Sequence, residues 1–188
     1  VDRVAEARRQ FALDLERRLE LRSGEVVRAF ATVPRERFMG EGPWLLSGGA
    51  PYLQTPDADP ARLYADVLVA LDADRELNNG RPESHALWMD RLGVGRGDRV
   101  LHVGAGTGYY TAILAEIVGP EGAVIAAEVD PVLLPRLRET TASIRHVKVV
   151  EPRGVDIEFE AADRIYVNCS LTRPPRDWLS RLRAGGSM

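Results

Sequence analysis

The chain is poor in the residues that announce special classes. Among its 188 residues one is cysteine, Cys169, so no disulfide can form within it and a reducing, cytoplasmic setting is expected. In the stretch Ile165-Tyr-Val-Asn-Cys169 that thiol reads as buried filler. Lysine is almost absent too: of 25 basic residues only Lys148 is lysine. The richest arginine stretch, residues 1–22, is interleaved with Asp2, Glu6, Asp14, Glu16 and Glu20 and reads as a solvated helix face rather than a phosphate grip. No apolar run approaches the ~18 residues of a membrane span, and no signal-peptide core stands at the amino end, so neither membrane nor export is expected. With 28 acidic residues and a formal charge of −3, there is no basic field for nucleic acid. The three histidines, His85, His102 and His146, have no partners at ligand spacing, so no metal site is expected.

Hydrophobic residues make up 45% and charged residues 28% of the chain, the proportions of a globular domain, here one domain or one domain with an extension. Val4, Phe11, Leu15 and Leu19 recur on one face of a helix over residues 2–21, closed by Ser23-Gly24. A second helix is expected over 25–32 and ends at Pro34. Residues 40–60 show neither period and read as a long irregular loop, with Trp44 and Tyr52 as core aromatics or the walls of a peptide groove. Residues 61–77 read as a helix or a mixed turn. Asn78-Asn79-Gly80 is a sharp turn, and Pro82 opens a helix through Trp88, a core tryptophan, to Leu92.

The second half alternates strand and helix. Strands are expected at 99–103, 123–128, 146–150 and 163–168, with helices at 110–118, after Pro131 and at 175–182. That order specifies a doubly wound, mostly parallel sheet covered on both faces. Another strand should begin at Ala184-Gly-Gly, so the reading is of a four-stranded sheet whose carboxyl-terminal strands are missing.

The strongest chemical signal is Leu101-His-Val-Gly104-Ala-Gly106-Thr-Gly108-Tyr109, followed by a second strand ending in Glu128. A glycine turn between strand and helix, with an acid at the next strand tip, in a unit of about 30 residues from Arg99 to Glu128, is a nucleotide-binding unit. The turn lets backbone lie against a ligand, the helix start favours a carboxylate or phosphate, and Glu128 is placed to accept from ribose hydroxyls. A dinucleotide fingerprint wants Gly or Ala where Tyr109 stands, which disfavours NAD. The compact Gly104, Gly106, Gly108 spacing suits S-adenosyl-L-methionine.

Val33-Pro-Arg-Glu-Arg-Phe38, Asn79-Gly-Arg-Pro-Glu-Ser84 and the glycine block with Gly108-Tyr-Tyr-Thr-Ala-Ile-Leu-Ala-Glu-Ile-Val-Gly119 together resemble the protein-L-isoaspartate O-methyltransferases, over about residues 26–187. The resemblance implies a Rossmann-like class I methyltransferase fold with an N-terminal helical extension. Three segments follow: residues 1–60 as helices and loop, 61–97 as the substrate side and lead-in helix, and 98–188 as the cofactor-binding core. It implies methyl transfer to a protein or peptide carboxylate, aspartyl or isoaspartyl. Ser84 matches the serine of the family's Gly-Gln-Thr-Ile-Ser stretch, near the accepting carboxylate. Gln and Thr of that stretch are Arg81 and Pro82 here, and Arg81 reads first as a solvated surface residue, with pairing to the acceptor as the functional alternative. His102, Gly104, Ala105, Gly106, Gly108, Tyr109, Glu128 and Val129 are the implied cofactor contacts. Arg153 and Gly154 join them where the family usually has Gly-Asp-Gly beside the adenine, with Asp156 as a stand-in acid.

The chemistry is coherent. A carboxylate is already ionised and nucleophilic at neutral pH, so methyl transfer from a sulfonium needs alignment and desolvation rather than a general base. Asn168-Cys-Ser-Leu171 sits where amino-group methylases of nucleic-acid bases carry a proline-rich motif and lacks its prolines. Other readings of the same residues are a non-catalytic binding module on the same fold, or methylation of a small molecule.

Overall fold

Asp2 starts the first helix, its carboxylate accepting from the backbone N–H of Val4 at 3.0 Å and Ala5 at 3.3 Å, as an N-cap does. In this computed structural model, which describes residues 2–49 and 51–188, that helix is α1 (Arg3–Leu19). Phe11, Ala12 and Leu15 form its buried stripe, and Glu20, in the left-handed region at φ 50°, ends it. Ser23 belongs to the next element: its hydroxyl accepts from Val26 N–H at 3.3 Å and caps α2 (Gly24–Thr32). The chain then divides into two units, residues 1–90 and 91–188.

The first unit departs from the sequence reading between residues 40 and 80. Four short strands, β1 (Leu45–Ser47), β2 (Leu53–Gln54), β3 (Leu68–Asp72) and β4 (Leu77–Asn78), make an antiparallel sheet in the order β2-β1-β3-β4. Strands of two or three residues are too short to display alternation, which is why 40–60 reads as loop. Leu68-Val-Ala-Leu-Asp72 is a short apolar run that periodicity cannot assign; pairing with β1 and β4 decides it. Trp44 is buried, its indole N–H donating to Gly40 O at 3.1 Å. The unit closes with α3 (Pro82–Leu92), Pro82 at its first position. Trp88 is not core but 51% exposed, because the buried stripe runs through Pro82, His85, Ala86 and Met89 and residue 88 falls beside it.

In the second unit β5 (Arg99–Val103), α4 (Tyr109–Val118), β6 (Ala123–Ala127), α5 (Leu133–Thr141), β7 (Val147–Val150), β8 (Ala162–Val167), α6 (Arg176–Ser180) and β9 (Leu182–Ser187) follow in order. The five strands are parallel throughout, ordered β7-β6-β5-β8-β9. The fifth strand corrects the four-stranded expectation. Helix α6 stops at Ser180, two residues before the expected end, and Leu182 already pairs with Ala162, so the strand expected to begin at Ala184 is present and starts earlier. One sheet face packs Leu101, Val103, Ala127 and Ile165 with Ile157, Phe159 and Trp178. The other packs Ala126 with Ala105, Leu134 and Leu137. From β5 the chain winds outward through β6 and β7, then returns to β5's other side as β8. Ligands of open α/β sheets bind at the carboxyl ends of the strands where the order reverses, here the ends of β5 and β8.

Candidate functional site

The turn after β5 is fixed by its own backbone. Gly104 and Ala105 N–H both donate to Ala127 O, at 2.9 and 3.1 Å, and Gly108 N–H donates to Ala105 O at 3.0 Å. Two glycines are sterically required. Gly104 has φ +73°, and a Cβ there would lie 2.8 Å from Asn168 O and 2.9 Å from Cys169 Cβ, so the turn is pressed against the tip of β8. Gly108 has φ +95°, and a Cβ would meet Leu137 Cδ1 at 2.9 Å and Thr140 Oγ1 at 3.0 Å on α5. Thr140 in turn donates to Thr107 O at 2.8 Å. No side chain caps the start of α4, where the positive end of the helix dipole favours an anionic group.

Glu128 stands at the tip of β6, 7% exposed, and closes onto the same turn. One oxygen, Oε2, accepts from Gly106 N–H at 2.7 Å; the other accepts from Val129 and Asp130 N–H at 2.8 and 2.9 Å. A carboxylate offers about four acceptor positions, so the orientation of Glu128 is locked while capacity remains on Oε2. Beside it Val129 is 56% exposed, an apolar surface at the mouth of the turn. At the end of the neighbouring β7, Arg153 and Asp156 form an isolated antiparallel bridge around Gly154, Asp156 N–H donating to Arg153 O at 3.2 Å, and all three are exposed.

Two of the expected contacts are buried side chains. His102 has no exposed surface. Its Nδ1 is 2.9 Å from Thr111 Oγ1, its ring lies 5.5 Å from that of Tyr166, and burial pulls its pKa down to about 3. It is a packed neutral histidine with nothing to show a ligand, because residue 102 points from the middle of the central strand toward α4. Tyr109, 2% exposed with its ring 5.0 Å from that of Tyr110, offers the loop its backbone alone. Cys169 corrects the other way. It is exposed, since it lies past the end of β8, yet partial desolvation of its sulfur together with the Glu128 charge raises the pKa of its thiol. The sequence located this strand tip but gave no sign that it abuts Gly104.

The residues matched to the substrate side lie in the first unit. Gly80 packs on the imidazole of buried His85, where a Cβ would stand 2.2 Å from Nε2. Arg81 donates through Nε to Asp66 Oδ2 at 2.9 Å and through Nη2 to Asp66 O at 3.2 Å. Its guanidinium is therefore engaged by a residue of this chain and not held open for an acceptor. Asp66 Oδ1 also accepts from Glu83 N–H at 2.9 Å in the first turn of α3, and Ser84 follows in the same turn, half-buried. Sequence reasoning missed Asp66, whose role needs the β3 segment folded beside α3. Among the described residues no group of three His, Cys, Asp or Glu side chains is arranged to hold a metal, and no helix is long and apolar enough to cross a membrane.

Comparison with known proteins converges on one family. The family model "Protein-L-isoaspartate(D-aspartate) O-methyltransferase" matches residues 8–188. A protein-L-isoaspartate O-methyltransferase from Ignicoccus hospitalis is 32% identical over 168 residues, covering 87% of this chain and 71% of its own. One from Thermotoga maritima is 28% identical over 170 residues, covering 87% of this chain and 49% of its own, so this chain spans about half of that relative's length. A solved structure of the same name superposes with a TM-score of 0.79 at 25% identity, covering 95% of this chain and 53% of the other.

Proposed function

The chain belongs to the protein-L-isoaspartate O-methyltransferase family, and from that membership we propose that it transfers a methyl group from S-adenosyl-L-methionine to the side-chain carboxylate of an isoaspartyl residue in a peptide or protein. The observation that carries the reading is the closure of Glu128 onto the glycine turn, which joins an acceptor for ribose hydroxyls to an uncapped helix start for the cofactor's carboxylate. Gly104, Ala105, Gly106 and Gly108 supply the cradle, Tyr109 the first turn of α4 behind it, and Val129 an apolar wall for the base. Arg153, Gly154 and Asp156, exposed at the end of β7, border the base in place of the family's acidic turn.

Bound there, the cofactor supplies an electrophilic methyl group on a sulfonium. The chain's own residues then have to align and dehydrate. Ser84 donates a hydrogen bond from its hydroxyl to one oxygen of the acceptor carboxylate and leaves the other free to attack; no base is required because the acceptor is ionised already. Alignment of this kind supplies several kcal/mol, about 7 in favourable cases. Arg81, tied to Asp66, shapes the segment instead of neutralising the acceptor.

The test is incubation of the chain with methyl-labelled S-adenosylmethionine and a pair of peptides differing only in an isoaspartyl or aspartyl linkage. Base-labile label on the isoaspartyl peptide, reduced about tenfold or more in Ser84→Ala, is the expected result. Label on neither peptide refutes the substrate, and an unchanged Ser84→Ala refutes the role of that serine.

A further inference from the structure

Arg35, within Val33-Pro-Arg-Glu-Arg-Phe38, is wholly buried in the first unit. Its guanidinium is spread over four acceptors. Nη1 donates to Leu63 O at 2.7 Å and Ala65 O at 3.1 Å, and Nη2 donates to Val67 O at 2.8 Å and Asn79 Oδ1 at 3.2 Å. Its backbone N–H donates to the Tyr64 hydroxyl at 3.1 Å. The acceptors fall in two groups. One is the strip 63–67, which contains Asp66. The other is Asn79, whose Oδ1 also accepts from Val69 N–H at 3.1 Å.

Both groups hold the same short segment. Asn79 begins it: its N–H donates to Val69 O at 3.1 Å, and Gly80 follows in the left-handed region at φ +76°. Asp66 grips its far end through Arg81 and Glu83 N–H. Ser84 comes next. The position of residues 79–84 therefore depends on two anchors, and one buried guanidinium fixes the spacing between them.

We propose that Arg35 is the positioning residue of the substrate segment, setting the placement of Ser84 by gripping the 63–67 strip with one edge and Asn79 with the other. The proposal rests on the reading of Ser84 as the residue that holds the acceptor carboxylate. Only a guanidinium meets the geometry. Its donors diverge in a rigid plane, whereas a lysine ammonium presents three donors from a single point. A buried cation carries a desolvation cost, and four charge-assisted hydrogen bonds to fixed acceptors offset it.

The test uses the full chain with Arg35→Lys, and with Asn79→Ala and Asn79→Asp as a second pair, since Asp keeps both acceptor contacts and Ala removes them. Three quantities are read: amide hydrogen exchange by segment, affinity for S-adenosylhomocysteine, and kcat and KM for the isoaspartyl peptide. For Arg35→Lys the expected result is exchange at 79–84 at least tenfold faster with 99–128 unchanged. Cofactor affinity should stay within twofold, and kcat/KM should fall at least tenfold, mainly through KM. Asn79→Ala should move the same quantities in the same direction, and Asn79→Asp should recover most of that loss. If Arg35→Lys does not fold, the Asn79 pair decides by the same readings. Parental exchange at 79–84, parental kcat/KM, or an exchange increase spread evenly over residues 2–90 overturns the proposal. Selective loosening of 79–84 in a chain whose parent transfers no methyl group overturns the Ser84 reading and leaves the Arg35 grip standing.

Discussion

At the scale of single residues, burial decides what a side chain can do. His102 sits beside the glycine turn in sequence, yet the strand carries its ring into the sheet against Thr111 and Tyr166. With its pKa pulled from 6.5 to about 3 by burial, the folded protein keeps it neutral while the unfolded chain takes up a proton. The unfolded state binds more protons between those two values, so stability is full above about pH 6.5 and is lost as pH falls toward 3, by up to about 1.4 kcal/mol per pH unit. His102→Asn is expected to lower the melting temperature at pH 7 but to flatten its decline between pH 6.5 and 4; an unchanged slope would remove His102 as the cause. Gly108 makes the opposite demand, for space. With φ +95° and Leu137 and Thr140 at 2.9 and 3.0 Å from any added Cβ, Gly108→Ala combines backbone strain with overpacking. It is expected to cost about 2–4 kcal/mol, measured by urea denaturation, and to weaken S-adenosylhomocysteine binding as the loop shifts.

At the scale of elements, helix α3 shows how a first turn can be held from afar. Asp66, 15 and 17 residues upstream of the groups it holds, accepts from Arg81 and from Glu83 N–H. Asp66→Ala is expected to lower stability by about 1–2 kcal/mol and to raise KM for the peptide with little change in cofactor affinity. Equal loss of both affinities would show that Asp66 does more than hold this helix. The same contrast explains what was legible in the sequence. Strand β5, the glycine turn, α4 and β6 were readable nearly to the residue, because local pattern and tertiary packing ask for the same thing there. Strands β1 to β4 were not, because two to five residues held by cross-strand pairing carry no period of their own. β9 was expected from Ala184 but taken as cut short, because its first residues read as the end of α6. At the candidate site, Gly104 to Gly108 and Glu128 follow from motif spacing alone. The burial of His102, the engagement of Arg81 by Asp66 and the four-way grip of Arg35 depend on long-range contacts that spacing does not encode.

At the scale of the whole molecule, the residues proposed for cofactor and for substrate fall in different units of the chain. The second, residues 91–188, contains every group proposed to hold the cofactor, and the first contains Ser84 and the arginine-centred frame that sets it. Substitutions should therefore separate: those at the glycine turn and Glu128 should change cofactor affinity, and those at Arg35, Asp66 and Ser84 should change the handling of the peptide. The central claim is that the turn and Glu128 form an S-adenosylmethionine site. Calorimetric titration of the chain with S-adenosylhomocysteine, repeated on Glu128→Ala and with NADH as the competing nucleotide, tests it most directly. Micromolar binding of S-adenosylhomocysteine alone, weakened at least tenfold in Glu128→Ala, is the predicted result. Binding of NADH instead, or binding of S-adenosylhomocysteine that Glu128→Ala leaves untouched, would contradict it.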